Sequence, residues 1–144
     1  MSALTTPTST AVIPGTSASI QMFNAGATIT IGHPVYFDSA TSTVKEANAD
    51  SSGSSAIATV IGVALNGGAI GQKIMVNLLD SAHTHGFTAS EITPGAFVYL
   101  NDTAGTYTVT AGDLDQTDYF VYIGQINNPE TTMNLAPKAP IAGT

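Results

Sequence analysis

The chain lacks cysteine, tryptophan and arginine, and two of these absences exclude whole classes of function. Without cysteine there is no disulfide framework, no thiolate zinc site and no cysteine nucleophile. Without arginine, the only fixed cations are Lys45, Lys73 and Lys138, against a net charge of -7. Affinity for nucleic acids and for anionic membranes comes mainly from Lys and Arg, so we expect neither partner.

Long apolar runs and targeting signals are also missing. No apolar run approaches the ~20 residues that a membrane-spanning helix needs. The first residues, MSALTTPTSTAVIPGT, have no basic region followed by an apolar stretch, so they are not typical of a secretory signal. We therefore expect synthesis in the cytoplasm.

Charge of either sign is scarce. Charged residues make up 9% of the chain, far below the roughly 25% of ordinary soluble domains, and Thr, Ser, Ala, Gly and Asn take their place. This composition favours β-structure with neutral, hydrogen-bonding surfaces. A length of 144 residues indicates about one domain, long enough to bury a core without covalent staples.

The clearest pattern present is a strand, a turn and a strand over residues 58–79. An apolar run rich in β-branched residues precedes Asn66, Gly67 and Gly68, and apolar and polar residues then alternate. A period of two with Gly punctuation predicts an antiparallel hairpin. The same signals predict a second hairpin, in which residues 20–23 pair with residues 28–31, and further strands at residues 35–38, 43–47 and 97–100. Residues 80–90 are expected to be irregular, with at most one helical turn at 89–92.

The order of these strand signals repeats along the chain. Val35 and Tyr36 match Val98 and Tyr99, residues 59–62 match residues 121–124, and residues 76–78 match residues 133–135. The alternative is chance similarity between two β-meanders. We predict an all-β fold, or a mainly β fold with one or two short helical turns. It would be a small β-barrel or two-layer β-sandwich, with a candidate duplication of residues 32–79 in residues 95–135.

Two terminal segments flank the predicted domain of residues 20–135. Residues 1–19 are rich in Thr, Ser and Pro and predict a flexible arm, whose alternative is a disordered tail without function. Val12, Ile13 and Pro14 are its candidate contact residues, because an extended apolar segment can add to the edge of a neighbour's sheet. Residues 136–144 are expected to be an extended tail, since its prolines prevent a helix.

No pattern indicates an active site. His83 and His85 would share one face of a strand, but a metal site needs further ligands. Asp80 and His33 are the candidates for these ligands, and loop histidines in solvent are the preferred interpretation.

Three carboxylates, Asp113, Asp115 and Asp118, resemble a calcium loop but lack the glycine and glutamate of an EF-hand. We expect no enzyme activity, no cofactor and no metal.

Four motifs give the chain a resemblance to a known family. Val35 precedes them in the chain. The four motifs are residues 43–45 (Thr-Val-Lys), 61–64 (Ile-Gly-Val-Ala), 71–76 (Gly-Gln-Lys-Ile-Met-Val) and 92–95 (Ile-Thr-Pro-Gly). Their order over residues 30–110 resembles that of the capsid decoration, or cement, proteins of tailed bacteriophages. The chain departs from the phage lambda head-stabilising type in its length and repeated second half, which leaves attachment site and oligomeric state open.

The resemblance implies a structural protein on the outer surface of the virion. Such proteins stabilise the shell by bridging neighbouring copies of the major capsid protein, commonly as trimers, so the implied partners are that protein and further copies of this chain. The alternative is a fibre or adhesin module that recognises glycans or a host surface. Its candidate stacking platforms are Tyr36, Tyr99, Tyr107, Tyr119 and Tyr122, although tyrosine in a strand more often packs in the core.

Overall fold

The computed structural model describes residues 3–5, 7, 11–50, 54–110, 114 and 117–142. Over these residues the chain is almost entirely β-structure, with one short 3₁₀ turn at Ala89–Glu91, which confirms the predicted all-β class. The strands are β1 (Ser19–Asn24), β2 (Pro34–Asp38), β3 (Thr43–Glu46), β4 (Val60–Ala64), β5 (Lys73–Thr84), β6 (Phe97–Leu100), β7 (Tyr107–Thr108), β8 (Tyr122–Ile126) and β9 (Thr132–Leu135).

All nine strands belong to one antiparallel sheet that curls into a half-barrel. The strand order is β3-β2-β4-β5-β9-β8-β6-β7, and β1 pairs with β5 off this path. The long strand β5 joins two parts of the sheet. Its residues up to Leu79 pair with β1 and β4, and its residues from Asp80 onward pair with β9.

Two strand predictions are wrong in detail. Residues 28–31 do not pair with residues 20–23, because β1 pairs with β5 instead and Ile29 forms only an isolated bridge with Gly68. Residues 80–84 are not irregular, because β5 continues to Thr84 and finds a second partner in β9. In both cases a distant strand supplied the hydrogen-bonding partner that local sequence did not reveal.

The two halves of the sheet share the same registers. In the first half Val35 pairs with Gly62 and Tyr36 with Val60, with a bulge between them; in the second, Val98 pairs with Gly124 and Tyr99 with Tyr122, with the same bulge. The register of β4 on β5 likewise matches that of β8 on β9. The pair Val63–Asn77 corresponds to Gln125–Asn134, and the pair Ala64–Val76 corresponds to Ile126–Met133. We call β1–β4 with the first part of β5 the N-terminal unit, and the rest of β5 with β6–β9 the C-terminal unit.

A glycine occupies the same place in both units for the same reason. A Cβ on Gly62 would overlap the carbonyl oxygen of Asn77, and a Cβ on Gly124 would overlap that of Asn134. Any side chain there would push neighbouring strands apart. The close approach therefore requires glycine at both positions.

The core forms two clusters, which follow the two units except at β4, because Val60 and Val63 of that strand belong to the larger cluster. A smaller cluster fills the N-terminal unit and includes Val35, Val44 and Val76. A larger cluster fills the C-terminal unit and includes Leu100, Ile123 and Leu135, together with Ala49 and Ala58 from the segment between β3 and β4. That segment therefore belongs to the N-terminal half of the chain but packs on the C-terminal unit.

The described residues of the segment 1–19 lie against the C-terminal unit. The backbone N–H of Leu4 donates to the carbonyl of Tyr107 at 3.0 Å, and Ile13 forms an antiparallel bridge with Thr84. Leu4 and Val12 are buried. Flexibility of this arm away from the domain stays a prediction. In the C-terminal tail, Phe120 and Ile141 exchange two backbone hydrogen bonds.

Candidate functional site

The two histidines singled out by the sequence are buried, not solvated. His83 lies in β5 and His85 just beyond it, and both are almost fully covered. Burial lowers the pKa of His83 to about 4, an effect that the carboxylate of Asp80 opposes and His85 reinforces. The reading of solvated loop histidines is therefore wrong, because the extension of β5 carries them inward.

His85 has both ring nitrogens engaged by the protein. Its Nε2–H donates to the carbonyl of Glu130 at 2.6 Å, and its Nδ1 accepts from the N–H of Phe87 at 2.9 Å. The ring also stacks on Phe87. Burial lowers its pKa, against the hydrogen bond to Glu130. These contacts make His85 a packing residue with no lone pair free for a metal.

Asp80 instead holds the N-terminal arm. Its Oδ2 accepts from the N–H of Gly15 at 2.7 Å and from the amide of Asn77 at 2.8 Å, and its Oδ1 accepts from the N–H of Ala82 at 3.0 Å. Burial would raise the pKa of this carboxyl, but the hydrogen bonds and nearby His83 outweigh it and lower the pKa. Asp80 thus acts as a buried clamp on the arm.

The other candidate ligands are dispersed. The Nδ1 of His33 lies 2.7 Å from the Oε2 of Glu46, and both side chains lie against Gly105. Over the described ranges, no three His, Asp or Glu side chains are grouped so as to hold a metal ion. The loop that carries Asp113, Asp115 and Asp118 falls partly outside these ranges, because Asp113 and Asp115 are not described; Asp118 is buried.

The three arm residues Val12, Ile13 and Pro14 have different environments. Val12 is buried, Pro14 is half-buried, and Ile13 is 52% exposed. Ile13 lies beside a cavity of about 320 Å³, which we call the arm cavity; its walls include Thr84, His85, Phe87 and Thr131. Of the three, Ile13 alone offers a largely exposed apolar side chain to a partner.

An aromatic surface lies on the outer side of the C-terminal unit. Phe97 packs edge-on against Tyr122, with ring centroids 5.8 Å apart, and Tyr99 packs on Phe120 at 4.7 Å. Phe97 and Phe120 are exposed, and the two tyrosines are half-buried. We call these four side chains the aromatic surface. Tyr107, by contrast, is buried and donates its hydroxyl hydrogen to the carbonyl of Gly32.

Sequence reasoning missed an apolar surface on β1 and β5. Ile20, Met22, Met75 and Leu79 are all exposed, and Met22 lies directly opposite Met75. The available signal was the composition of β1, Ser-Ile-Gln-Met-Phe-Asn. This strand has apolar residues on both faces, which a strand with one solvated face does not need.

A comparison with protein-family models and with curated proteins finds no match to this chain. Among the described residues there is no helix long and apolar enough to span a membrane.

Proposed function

We propose that this protein is a structural component of a phage virion. It binds the outer surface of the capsid and stabilises the shell by bridging copies of the major capsid protein, without enzyme activity. The observation that carries the proposal is the amount of exposed apolar surface on a chain with so little charge. Among the described residues ten large apolar side chains are exposed, whereas 9% of all residues in the sequence are charged.

Exposed apolar surface of this extent supports a binding role. Contiguous apolar patches on soluble proteins mark interaction sites, and here they lie on β1 with β5, around Ile13, and on the aromatic surface. They lie on different elements of the fold, which suits a protein that contacts several subunits at once. Scarce charge favours contacts made by backbone, hydroxyl, amide and apolar groups.

The mechanism proposed is mechanical. A protein that binds the assembled shell but not separate subunits stabilises the shell by mass action. If the protein forms trimers, several weak contacts act together and gain avidity without one tight site. The arm contributes Ile13, which its backbone hydrogen bonds to Thr84 hold at the surface.

Binding of the protein to purified empty heads tests this proposal. We expect saturable binding at a fixed ratio to the major capsid protein, and lower occupancy after deletion of residues 2–16. The variant Ile13→Ser should also lower occupancy, because it removes an exposed apolar contact while leaving the backbone bridge to Thr84. A matched control is Ile70→Ser, in the loop between β4 and β5, where the side chain is 73% exposed.

Unchanged occupancy after both the deletion and Ile13→Ser would exclude the arm as a contact. Failure of the intact protein to bind any head preparation would reject the decoration role as a whole.

The aromatic surface favours one alternative, an adhesin module for glycans. Exposed aromatic rings can stack on sugar rings, and Phe97, Tyr99, Phe120 and Tyr122 form a paired set. A glycan array separates the two functions. Decoration predicts no glycan binding but saturable binding to heads, whereas an adhesin would bind glycans and lose that binding in Phe120→Ala.

A further inference from the structure

The outer edge of β1 is an unused strand edge. β1 pairs with β5 on one side from Ser19 to Asn24. On its other side, no described residue pairs with it before Ala25 bridges Val44. No charge or proline protects this edge, since the strand reads Ser-Ile-Gln-Met-Phe-Asn. Proteins usually protect exposed edges with such residues, because an open edge can pair with another chain.

The backbone of Met22 faces that open edge. Its partner on β5, Met75, turns both backbone groups the other way: the N–H donates to Oδ1 of Asn66 at 2.7 Å, and the carbonyl accepts from the N–H of Leu65 at 2.8 Å. Met22 and Met75 are therefore a pair without hydrogen bonds between them. In an antiparallel ladder, the N–H and C=O of such a residue point away from its partner strand.

The C-terminal unit shows what binds at the equivalent place. Val76 and Met133 occupy equivalent positions in the two units, so the residues that precede them, Met75 and Thr132, are equivalent too. Thr132 pairs with Thr84, so Thr84 is the equivalent of Met22. There the edge is occupied: Thr84 and Ile13 exchange two backbone hydrogen bonds, of 2.9 and 3.1 Å.

The side chains of the arm show which way an added strand would point. Ile13 faces outward, and its neighbour Val12 is buried. On a strand added to β1, the residue equivalent to Val12 would point inward, toward a groove of about 280 Å³. This groove, which we call the mouth groove, is lined by Gln21, Phe23, Phe37, Ile61 and Leu78. All five lining side chains are uncharged, so the groove suits an aliphatic side chain.

We propose that the edge of β1 binds an extended, uncharged segment of a partner protein as an added antiparallel strand. The segment hydrogen-bonds to the backbone of Met22 and places an aliphatic side chain in the mouth groove. Strand addition of this kind takes its affinity from main-chain hydrogen bonds and its selectivity from pockets for alternate side chains. The proposal does not depend on the partner being a capsid protein.

A second copy of this chain fits the groove less well than a foreign segment. If the β1 strands of two copies paired around Met22, each copy would place its Gln21 and Phe23 toward the mouth groove of the other. The ring of Phe23 already packs on the core of its own unit and against Phe37, at 5.9 Å. The chain's own arm is committed to Thr84.

The test uses the full-length, isotope-labelled protein and a synthetic peptide, acetyl-Ala-Val-Ile-Pro-Gly-Thr-Ser-amide, which copies residues 11–17. Backbone NMR spectra are recorded during titration to millimolar peptide. We expect shifts in β1 and in the residues of the mouth groove. Met22→Pro should weaken binding by at least about tenfold, because it removes the N–H of Met22, which points to the peptide. It should remain folded, since that N–H has no partner within the described chain.

The matched control is Met75→Ala, on the same face but without an open edge, which should bind as the parent does. Shifts confined to the region of Thr84, or no shifts at millimolar peptide, would overturn the proposal. So would a dimer in sedimentation that Met22→Pro converts to monomer, because the occupant would then be a second copy. Peptide binding without binding to heads would sustain this inference while rejecting the capsid role.

Discussion

The two units have the same strand registers, but one is sealed and the other is open. Leu100, Ile123 and Leu135 are fully buried in the C-terminal unit. At the equivalent positions of the N-terminal unit, Phe37 is 40% exposed and Ile61 and Leu78 are half-buried.

The difference comes from residues that pack on the C-terminal unit alone, among them Val60 and Val63 of β4. The C-terminal unit is covered by the segment between β3 and β4, where the N–H of Ala49 donates to the carbonyl of Asn101 at 3.0 Å, and by the arm at Leu4 and Ile13. In the N-terminal unit, the segment between β1 and β2 buries Ala25 and Ile29 in the core but leaves Phe37 exposed and Leu78 half-buried. Strand geometry therefore sets the scaffold, and the covering segments decide which unit can meet a partner.

The largest effect in either unit is expected at the two equivalent glycines, Gly62 and Gly124. Gly62→Ala and Gly124→Ala should each lower the free energy of unfolding by about 3 kcal/mol or more, since each added Cβ overlaps a backbone carbonyl. Urea denaturation measures both. The control Gly71→Ala, with open space around it but a positive φ, should cost about 1 to 2 kcal/mol. A tolerated substitution at one of the pair would break the equivalence of the units.

Truncation of equivalent leucines measures the difference between the sealed and open units. Leu135→Ala should cost about 3 kcal/mol, because it leaves a cavity in a fully buried position. Leu78→Ala, at the half-buried equivalent beside the mouth groove, should cost about 1 kcal/mol, because water can already reach the site. Equal losses in denaturant titrations would mean that the N-terminal unit is covered as well.

Acid should weaken the sealed unit through His83. Because burial lowers the pKa of His83 from 6.5 to about 4, the unfolded chain binds a proton between these values and the folded chain does not. Stability should thus fall by about 2 kcal/mol as the pH drops from 6.5 to 4. His83→Gln, which introduces the residue found at the equivalent position 21, should abolish most of this slope. If the free energy of unfolding of this variant fell with pH as steeply as that of the parent, other titratable groups would cause the pH dependence.

The smallest effect is expected at the rim of the open unit. Asp38 and Lys45 form an ion pair of 2.8 Å there, while the equivalent positions in the sealed unit hold Asn101 and Thr108. Lys45 lowers the pKa of Asp38 through their hydrogen bond. Because exposed ion pairs contribute little, Asp38→Asn should change stability less than any substitution above, and added salt should erase the change. A large loss that persists in salt would show that the rim is buried by a partner.

Much of the fold could be read from local pattern. The alternation in residues 73–79 predicted the first part of β5, and the turn at Asn66 to Gly68 predicted its hairpin with β4, which the sheet contains. The matching of Val35 with Val98 pointed to the shared registers. Residues 28–31 and 80–84 were misjudged because their partners lie far away in sequence, and a strand with distant partners leaves no local signal.

The candidate sites were harder to predict than the fold. Val12, Ile13 and Pro14 look alike in sequence as an apolar arm, yet bridging to Thr84 buries Val12 and exposes Ile13. His83 and His85 look polar and accessible, but the continuation of β5 buries them. The composition of β1 indicated the exposed side chain of Met22 but not the role of its backbone, which depends on the orientation of the backbone groups of Met75.

The sequence by itself determined the class of protein: an all-β chain without cysteine or arginine, poor in charge, whose glycines stand where strands pack closely. The period of two and the spacing of the repeats follow from local backbone geometry, which neighbouring residues encode. Tertiary structure alone decided that one unit is sealed and the other open. That outcome depends on where the arm and the segment before β4 pack, and such contacts between distant residues form only when the whole sheet has folded.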